Sequence, residues 1–277
     1  MAGRTTSNWW TVWGLVILAW AAFPLLWMTS LAFKSPDTFR TGEPSFLPKE
    51  WTWENFESAF DNELFTAALR NSFGIAVIAT VLSVVVAMFA AYAIARLEFP
   101  GKKVLLSMAL AIAMFPQAAL VGPLFNMWRG LGIYDTWIGL IIPYLTFALP
   151  LSIWTMSAFF RQIPWEMEQA AQVDGATAWQ AFRRVIVPLA APGVFTTAIL
   201  TFFFCWNEFL FAISLTSTDR ARTVPAALSF FTGQSQFQSP VTAVMAASVV
   251  VTIPIVILVL VFQRRIVAGL TAGAVKG

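Results

Sequence analysis

Histidine is missing from this 277-residue chain, and cysteine occurs once, as Cys205. Those scarcities exclude disulfide frameworks, Cys/His zinc sites and every His-dependent nucleophilic triad. Charge is scarce as well. Asp, Glu, Lys and Arg make up 11% of the residues, against about 25% in soluble domains. A phosphate-cradling loop is also absent. Such a loop needs Gly, four residues, then Gly-Lys-Ser/Thr. The only Gly-Lys pair is Gly101-Lys102, with Arg96 at the first-Gly position and Lys103 following. No catalytic residue, metal ligand or bound cofactor is therefore assigned to this chain. Any energy from ATP must enter through another subunit.

What is abundant is apolar surface. Hydrophobic residues are 58% of the chain, and the mean hydropathy is +0.73. That excess is too large for one water-soluble core of this size and calls for lipid as solvent. Six apolar stretches approach or exceed the about 20 residues that cross a hydrocarbon core. They cover 9–33, 71–95, 104–128, 137–160, 193–215 and 241–262. The first is longer than the apolar part of a signal peptide, and Lys34-Ser35-Pro36 follows it rather than a small-residue cleavage site, so it reads as a retained span. Pro116, Pro123, Pro143, Pro150 and Pro254 fall inside the stretches and are expected to kink them. Cys205 lies in an apolar run and reads as a small buried hydrophobe. Trp9, Trp10, Trp128 and Trp137 fall at stretch ends, where an indole is stable at headgroup level.

Basic residues fix the expected orientation. With the N-terminus in the cytoplasm, the inside segments carry Arg4, Arg96, Lys102, Lys103, Arg161, Arg183, Arg184, Arg264, Arg265 and Lys276. They hold only four acids, Glu98, Glu166, Glu168 and Asp174. The outside segments carry seven basic and nine acidic residues. The positive-inside rule therefore places both termini in the cytoplasm. Three connections are long: 34–70 outside, 161–192 inside and 216–240 outside. Residues 51–60 of the first look amphipathic and suited to the interface.

The inside connection is the most informative. Pro164 suits the first position of a helix. Met167, Ala170, Ala171 and Asp174 then share a face at i, i+3, i+4, i+7 spacing. Gly175 suits a left-handed helix end, Thr177 and Gln180 have capping-box spacing for a second helix, and Pro188 ends or kinks that second helix. The result is a helix–Gly–helix element. Two readings stand on the residues alone: an amphipathic connector, or a rigid helix whose small residues dock in a partner's groove.

Here a resemblance enters. Gln169-Ala170-Ala171, Gly175, Phe182 and Pro188 resemble the coupling segment of ABC importer permeases, whose pattern is Glu-Ala-Ala, three residues, Gly, then an aromatic and a Leu-Pro-like ending. Gln169 departs from the family glutamate, with Glu168 adjacent to substitute. Asp174-Gly175-Ala176, the 95–102 segment, Trp206-Asn207-Glu208-Phe209 and the 269–277 tail are similar to the carbohydrate-uptake branch. That branch includes the MalG-like half of maltose-type importers, and the tail and 95–102 look most like permeases of actinobacterial trehalose importers. The resemblance covers nearly the whole chain.

The resemblance implies an all-α integral membrane protein of the type I ABC importer permease fold, with six transmembrane helices. Residues 1–66 would hold the first helix and external loop. Residues 67–265 would be the permease core with its coupling segment at about 161–192, and 266–277 a cytoplasmic tail reaching toward the ATPase. It also implies sugar import, of a disaccharide such as trehalose or maltose, by alternating access in the plasma or inner membrane. Partners would be a second homologous permease, two copies of a cytoplasmic ATPase holding ATP and Mg, and an extracytoplasmic solute-binding protein. The coupling residues would be Glu168, Gln169, Ala170, Ala171, Asp174 and Gly175. Thr232, Gly233, Gln234 and Ser235 occupy the position of the family loop that reaches the binding protein.

Pathway candidates come from polarity inside the stretches. Glu208 is the only acid within one, and a buried charge in a bilayer is costly. It reads either as a pore or gate residue beside Asn207 or as a structural partner. Gln117, Asn126 and Asn71 line the pathway or bond helix to helix. Two other functions would carry their own marks in the sequence. A permease for another solute, such as glycerol phosphate, would favour basic residues within the spans. An ion-coupled secondary transporter would favour repeated halves. Neither feature is visible.

Overall fold

The structure is a computed structural model; it describes residues 8–41, 45–231 and 241–272, and side chains for all of these except 8, 40, 41 and 264–272. Helices α1 (Asn8–Ala32), α2 (Pro36–Thr41), α3 (Glu54–Phe60) and α4 (Glu63–Arg96) come first. Next are α5 (Lys102–Ala113), α6 (Gln117–Leu131), α7 (Trp137–Gln162), α8 (Trp165–Val173) and α9 (Ala178–Ala181). A π-helical turn, Phe182–Ile186, leads into α10 (Val187–Leu189), α11 (Ala191–Asn207), α12 (Leu210–Leu215), α13 (Val224–Ser229) and α14 (Val241–Ala272). Among the described residues there is no strand, only one isolated bridge between Lys34 and Trp51.

Among the described residues four helices, Trp9–Ala32, Glu63–Arg96, Trp137–Gln162 and Val241–Gln263, are long and apolar enough to cross a membrane. Six spans result if each of two bent pairs counts as one. One bent pair falls at Pro116, among the prolines expected to kink the spans; the other, Ala178–Leu189 with Ala191–Asn207 at 71°, lies ahead of a separate break in the fifth stretch. The third stretch is broken between Ala113 and Gln117, where α5 and α6 meet at 86°. Pro116 at φ −65° and ψ 113° is extended and cannot continue α5. The fifth is broken at Asn207–Phe209, with Glu208 extended at φ −67° and ψ 126°. Pro143 and Pro150 lie within a single continuous helix, α7.

Two compact units divide the chain. One comprises 1–66 and 228–254, the other 67–227 and 255–277. In the first, the loop after α1 folds back on the helix end. Asn55, on the buried side of α3, donates to the carbonyls of Ala32 and Lys34 at 2.8 and 2.7 Å. Ser30 and Lys34 donate to the carbonyls of Phe46 and Ser45. Lys34 is thereby buried and also lies over the Trp27 ring at 5.4 Å. The rings of Phe33, Trp53 and Phe56 pack at centroid distances of 4.9–5.3 Å. Residues 51–60 thus turn one face onto the end of α1, while Trp51 and Trp53 remain exposed.

The second unit is built around α7, which packs against α5, α11 and α12. Polar glue holds its centre. Ser152 on α7 lies 3.1 Å from Ser83 on α4 and 2.9 Å from Thr201 on α11. Hydroxyl pairs of this kind suit helix packing in lipid, where no water competes for them. Glycine permits close approaches on α7 and α11. A Cβ on Gly139 would sit 2.3 Å from the Ile133 carbonyl, and one on Gly193 would sit 2.4 Å from the Phe159 ring. Trp128, expected at headgroup level, is instead a buried core residue whose Nε1 donates to the Gly139 carbonyl at 2.7 Å.

Candidate functional site

The helix–Gly–helix element forms from local rules. Pro164 precedes α8 as its cap in an extended conformation (φ −56°, ψ 138°), one position earlier than the sequence implied. Asp174 closes α8, and Gly175 takes φ +88°, a region that favours glycine. The Gly175 N–H donates to Gln172 O and the Ala176 N–H to Ala171 O, at 3.0 and 2.9 Å. This is the paired bonding of a Schellman helix end. Thr177 and Gln180 make the capping box of α9 in full. Pro188 does not stop the chain. The turn before it is wound as a π-helix, with the Val187 N–H donating to Phe182 O, and the 71° bend lies at Ala190. Pro188 has no N–H to offer the Arg184 carbonyl, which is where the wider turn relieves the helix.

Position along α8 decides which side chains face outward. Gln169, Ala170, Asp174 and Gly175 are exposed, and Ala171 is half-buried. Met167 and Val173 are exposed beside them. Glu168 is different. It is 3% exposed and turned into the protein. Tyr92 Oη donates to Glu168 Oε1, and Arg96 Nε lies 3.7 Å from Glu168 Oε2. Arg96 also donates from Nη2 to the Ile163 carbonyl at 2.8 Å and stacks its guanidinium 5.0 Å over the Trp165 ring. Glu168 therefore cannot stand in for an outward-facing glutamate at position 169. Burial commits its carboxylate to Tyr92 and Arg96.

The pathway candidates do not form one cluster. Glu208 is buried, and its carboxylate accepts from the Phe211 and Ala212 N–H groups at 2.8 and 3.1 Å. Those N–H groups begin α12 and have no helical acceptor, so the only acid in the apolar stretches satisfies a broken helix. Asn207 is exposed and donates to Phe203 O at 2.8 Å. Gln117 and Asn126 lie nine residues apart on α6, which at about 100° per residue puts them on opposite faces. Gln117 is half-buried and Asn126 exposed. Asn71 is fully buried and structural. It donates to the carbonyls of Asp219 and Arg222 at 2.7 and 3.0 Å and accepts from Trp137 Nε1 at 3.1 Å. The proposed binding-protein contacts, 232–235, lie outside the described residues.

Two functional-looking sets escaped sequence reasoning. Tyr92 and Arg96 are one helical turn apart at the end of α4, a polar i, i+4 pair closing an apolar span. Asp135 adopts φ +58° and accepts from the Ser217 and Thr218 N–H groups at 2.9 and 3.2 Å. That bond joins the α6–α7 turn to the segment after α12, and no local pattern announces it.

The solved structure of a bacterial ABC transporter involved in the import of the acidic polysaccharide alginate superposes with a TM-score of 0.80 at 23% identity, over 95% of this chain and 98% of that one. This likeness speaks to fold alone. The trehalose transport system permease protein SugB of Mycobacterium tuberculosis is 54% identical over 99% of this chain and 100% of its own length. The trehalose/maltose transport system permease protein MalG of Thermococcus litoralis is 42% identical over 92% and 91%. Residues 83–271 match the family described as binding-protein-dependent transport system inner membrane component. With helices and up to six spans among the described residues, and similar over nearly its full length to transport system permease proteins, the chain belongs to that family of binding-protein-dependent transport system inner membrane components.

Proposed function

We propose that this chain is the pore subunit of an ATP-driven importer that brings a disaccharide, trehalose in the first instance, into the cell. The observation that carries the reading is the 54% identity with a trehalose transport permease across 99% of the chain. The exposed face of α8, ending at the Schellman turn on Gly175, supports a docking role for 161–192. Two cytoplasmic ATPase copies, holding ATP and Mg, would bear on that face. A second permease of the same family would complete the pore, and an external binding protein would deliver the sugar. The excess of Lys and Arg flanking the expected inside segments supports cytoplasmic termini. ATP-driven closure of the ATPases would swing the element as a rigid lever and reorient the spans from inward-open to outward-open.

The test is purification of the tagged chain from its native membrane in mild detergent. Expected company is a second permease and an ATPase carrying a phosphate-binding loop. The complex, in vesicles with its binding protein outside and ATP inside, should accumulate radiolabelled trehalose. Recovery of the chain alone, with uptake driven by an ion gradient without ATP, overturns the proposal.

A further inference from the structure

The last turns of α4 touch both halves of the helix–Gly–helix element. Phe89, Tyr92 and Arg96 lie at i, i+3 and i+7, one face of the helix. Arg96 and Tyr92 hold α8 through Glu168, the Ile163 carbonyl and the Trp165 ring. Tyr92 and Phe89 hold the other half. The Tyr92 ring meets Phe182 edge-on at 4.7 Å, Phe89 lies 5.7 Å from Phe182, and Phe89 stacks on Trp179 at 6.2 Å. Trp179 in turn stacks on Phe182 at 5.5 Å. Tyr92 belongs to both sets: its ring packs on the π-turn and its hydroxyl bonds α8. Beneath it, Met156, Phe160, Phe182, Ile186 and Ala91 form one buried cluster.

Besides the end of α4, α8 packs against the π-turn and α9. A cleft of about 390 Å³ runs beside it, lined by Ile163, Pro164, Met167, Phe159, Leu189 and Pro192. Among the described residues, the side-chain hydrogen bonds and ion pairs from 163–173 to the rest of the chain run to Tyr92 and Arg96. A lever with a cleft on one flank and a buried charged contact on the other passes part of its motion through that contact. A buried carboxylate held by a guanidinium and a phenol suits that task, because breaking the pair strands a charge away from water.

We propose that Tyr92, Arg96 and Glu168 are positioning residues that form the joint through which displacement of α8 is passed to α4. This goes beyond sugar import but rests on the reading that an ATPase bears on α8. In this joint Glu168 acts inward on α4, while the neighbouring Gln169 and Ala170 act outward on the partner.

The test uses the whole complex with its ATPase, comparing the native chain with Tyr92→Phe and Glu168→Gln. Tyr92→Phe keeps the ring packing and removes only the hydroxyl, so it preserves folding. Two readouts are taken: trehalose accumulated per ATP hydrolysed, and hydrogen exchange over 165–173 and 88–96 with and without a non-hydrolysable ATP analogue. In the native complex both segments should respond to the analogue together. In the variants α8 should still respond while 88–96 no longer does, and transport per ATP should fall about three- to tenfold, a typical size for a coupling network. An unchanged response of 88–96, or a proportional fall of uptake and hydrolysis, overturns the joint. A native complex whose two segments respond together but which accumulates no trehalose sinks the sugar reading and leaves the joint standing. A native α8 that ignores the analogue sinks the joint.

Discussion

Replacing Glu208 separates a structural carboxylate from a transport one. Its two oxygens accept from the Phe211 and Ala212 N–H groups, and both of those residues are fully buried. In Glu208→Ala neither N–H has an acceptor and water does not reach them. Leaving a buried donor unpaired costs about 1–3 kcal/mol, so two cost about 2–6 kcal/mol. Glu208→Gln has nearly the same volume and keeps one acceptor oxygen, so it loses about half of that. Relief from burying a charge favours both variants equally and cancels between them. Glu208→Ala should therefore be less stable than Glu208→Gln by about 1–3 kcal/mol. The assay is unfolding of the purified chain in mixed micelles by added SDS, followed by circular dichroism, with hydrogen exchange over 210–215 as the local readout. Both variants should raise exchange there, alanine more. Equal stability of the two variants, within about 0.5 kcal/mol, refutes the capping role.

Other outcomes rest on single contacts. Gly139→Ala should destabilise by at least about 1–3 kcal/mol, because its Cβ would meet a backbone oxygen at 2.3 Å that cannot rotate away. Gly122→Ala, with nothing within 4 Å of the added carbon, should be neutral or better in the same SDS titration. Thr177→Ala removes one arm of the α9 capping box and should cost about 0.5–2 kcal/mol, seen as faster exchange over 178–181. Gly175→Pro places a residue fixed near φ −65° where the chain needs φ +88°. It should insert normally but hydrolyse ATP without importing trehalose, and normal uptake would refute the lever.

Much of the candidate site was legible because its rules are local. The Ala170–Ala171 pair, a glycine at 175 and Thr-x-x-Gln at 177–180 each specify a neighbour a few residues away. The left-handed Gly175 and the capping box come from those neighbours. Glu168 was legible as an acid on α8 but not as an inward one. Its orientation depends on Tyr92, which lies 76 positions earlier. The same limit explains Trp128. An indole at the end of an apolar stretch suits the headgroup level, yet this one reaches the Gly139 carbonyl because the turn between α6 and α7 brings the start of α7 back to the end of α6.

The long apolar runs by themselves determined that the chain crosses lipid as helices, because a spanning helix needs about 20 apolar residues and a spanning strand only about 10. The absence of a phosphate-cradling loop led only to the expectation that ATP is handled by a partner. Tertiary structure alone decided where the spans break and which polar groups mend them. A proline marks a potential break at 116, but nothing near Glu208 forces one there; the break is held by a carboxylate that accepts the buried, otherwise unpaired N–H groups of the next helix. It also decided that Tyr92, Arg96 and Glu168 meet. The energy of a buried charged pair depends on distance in space, which the order of residues along the chain does not record.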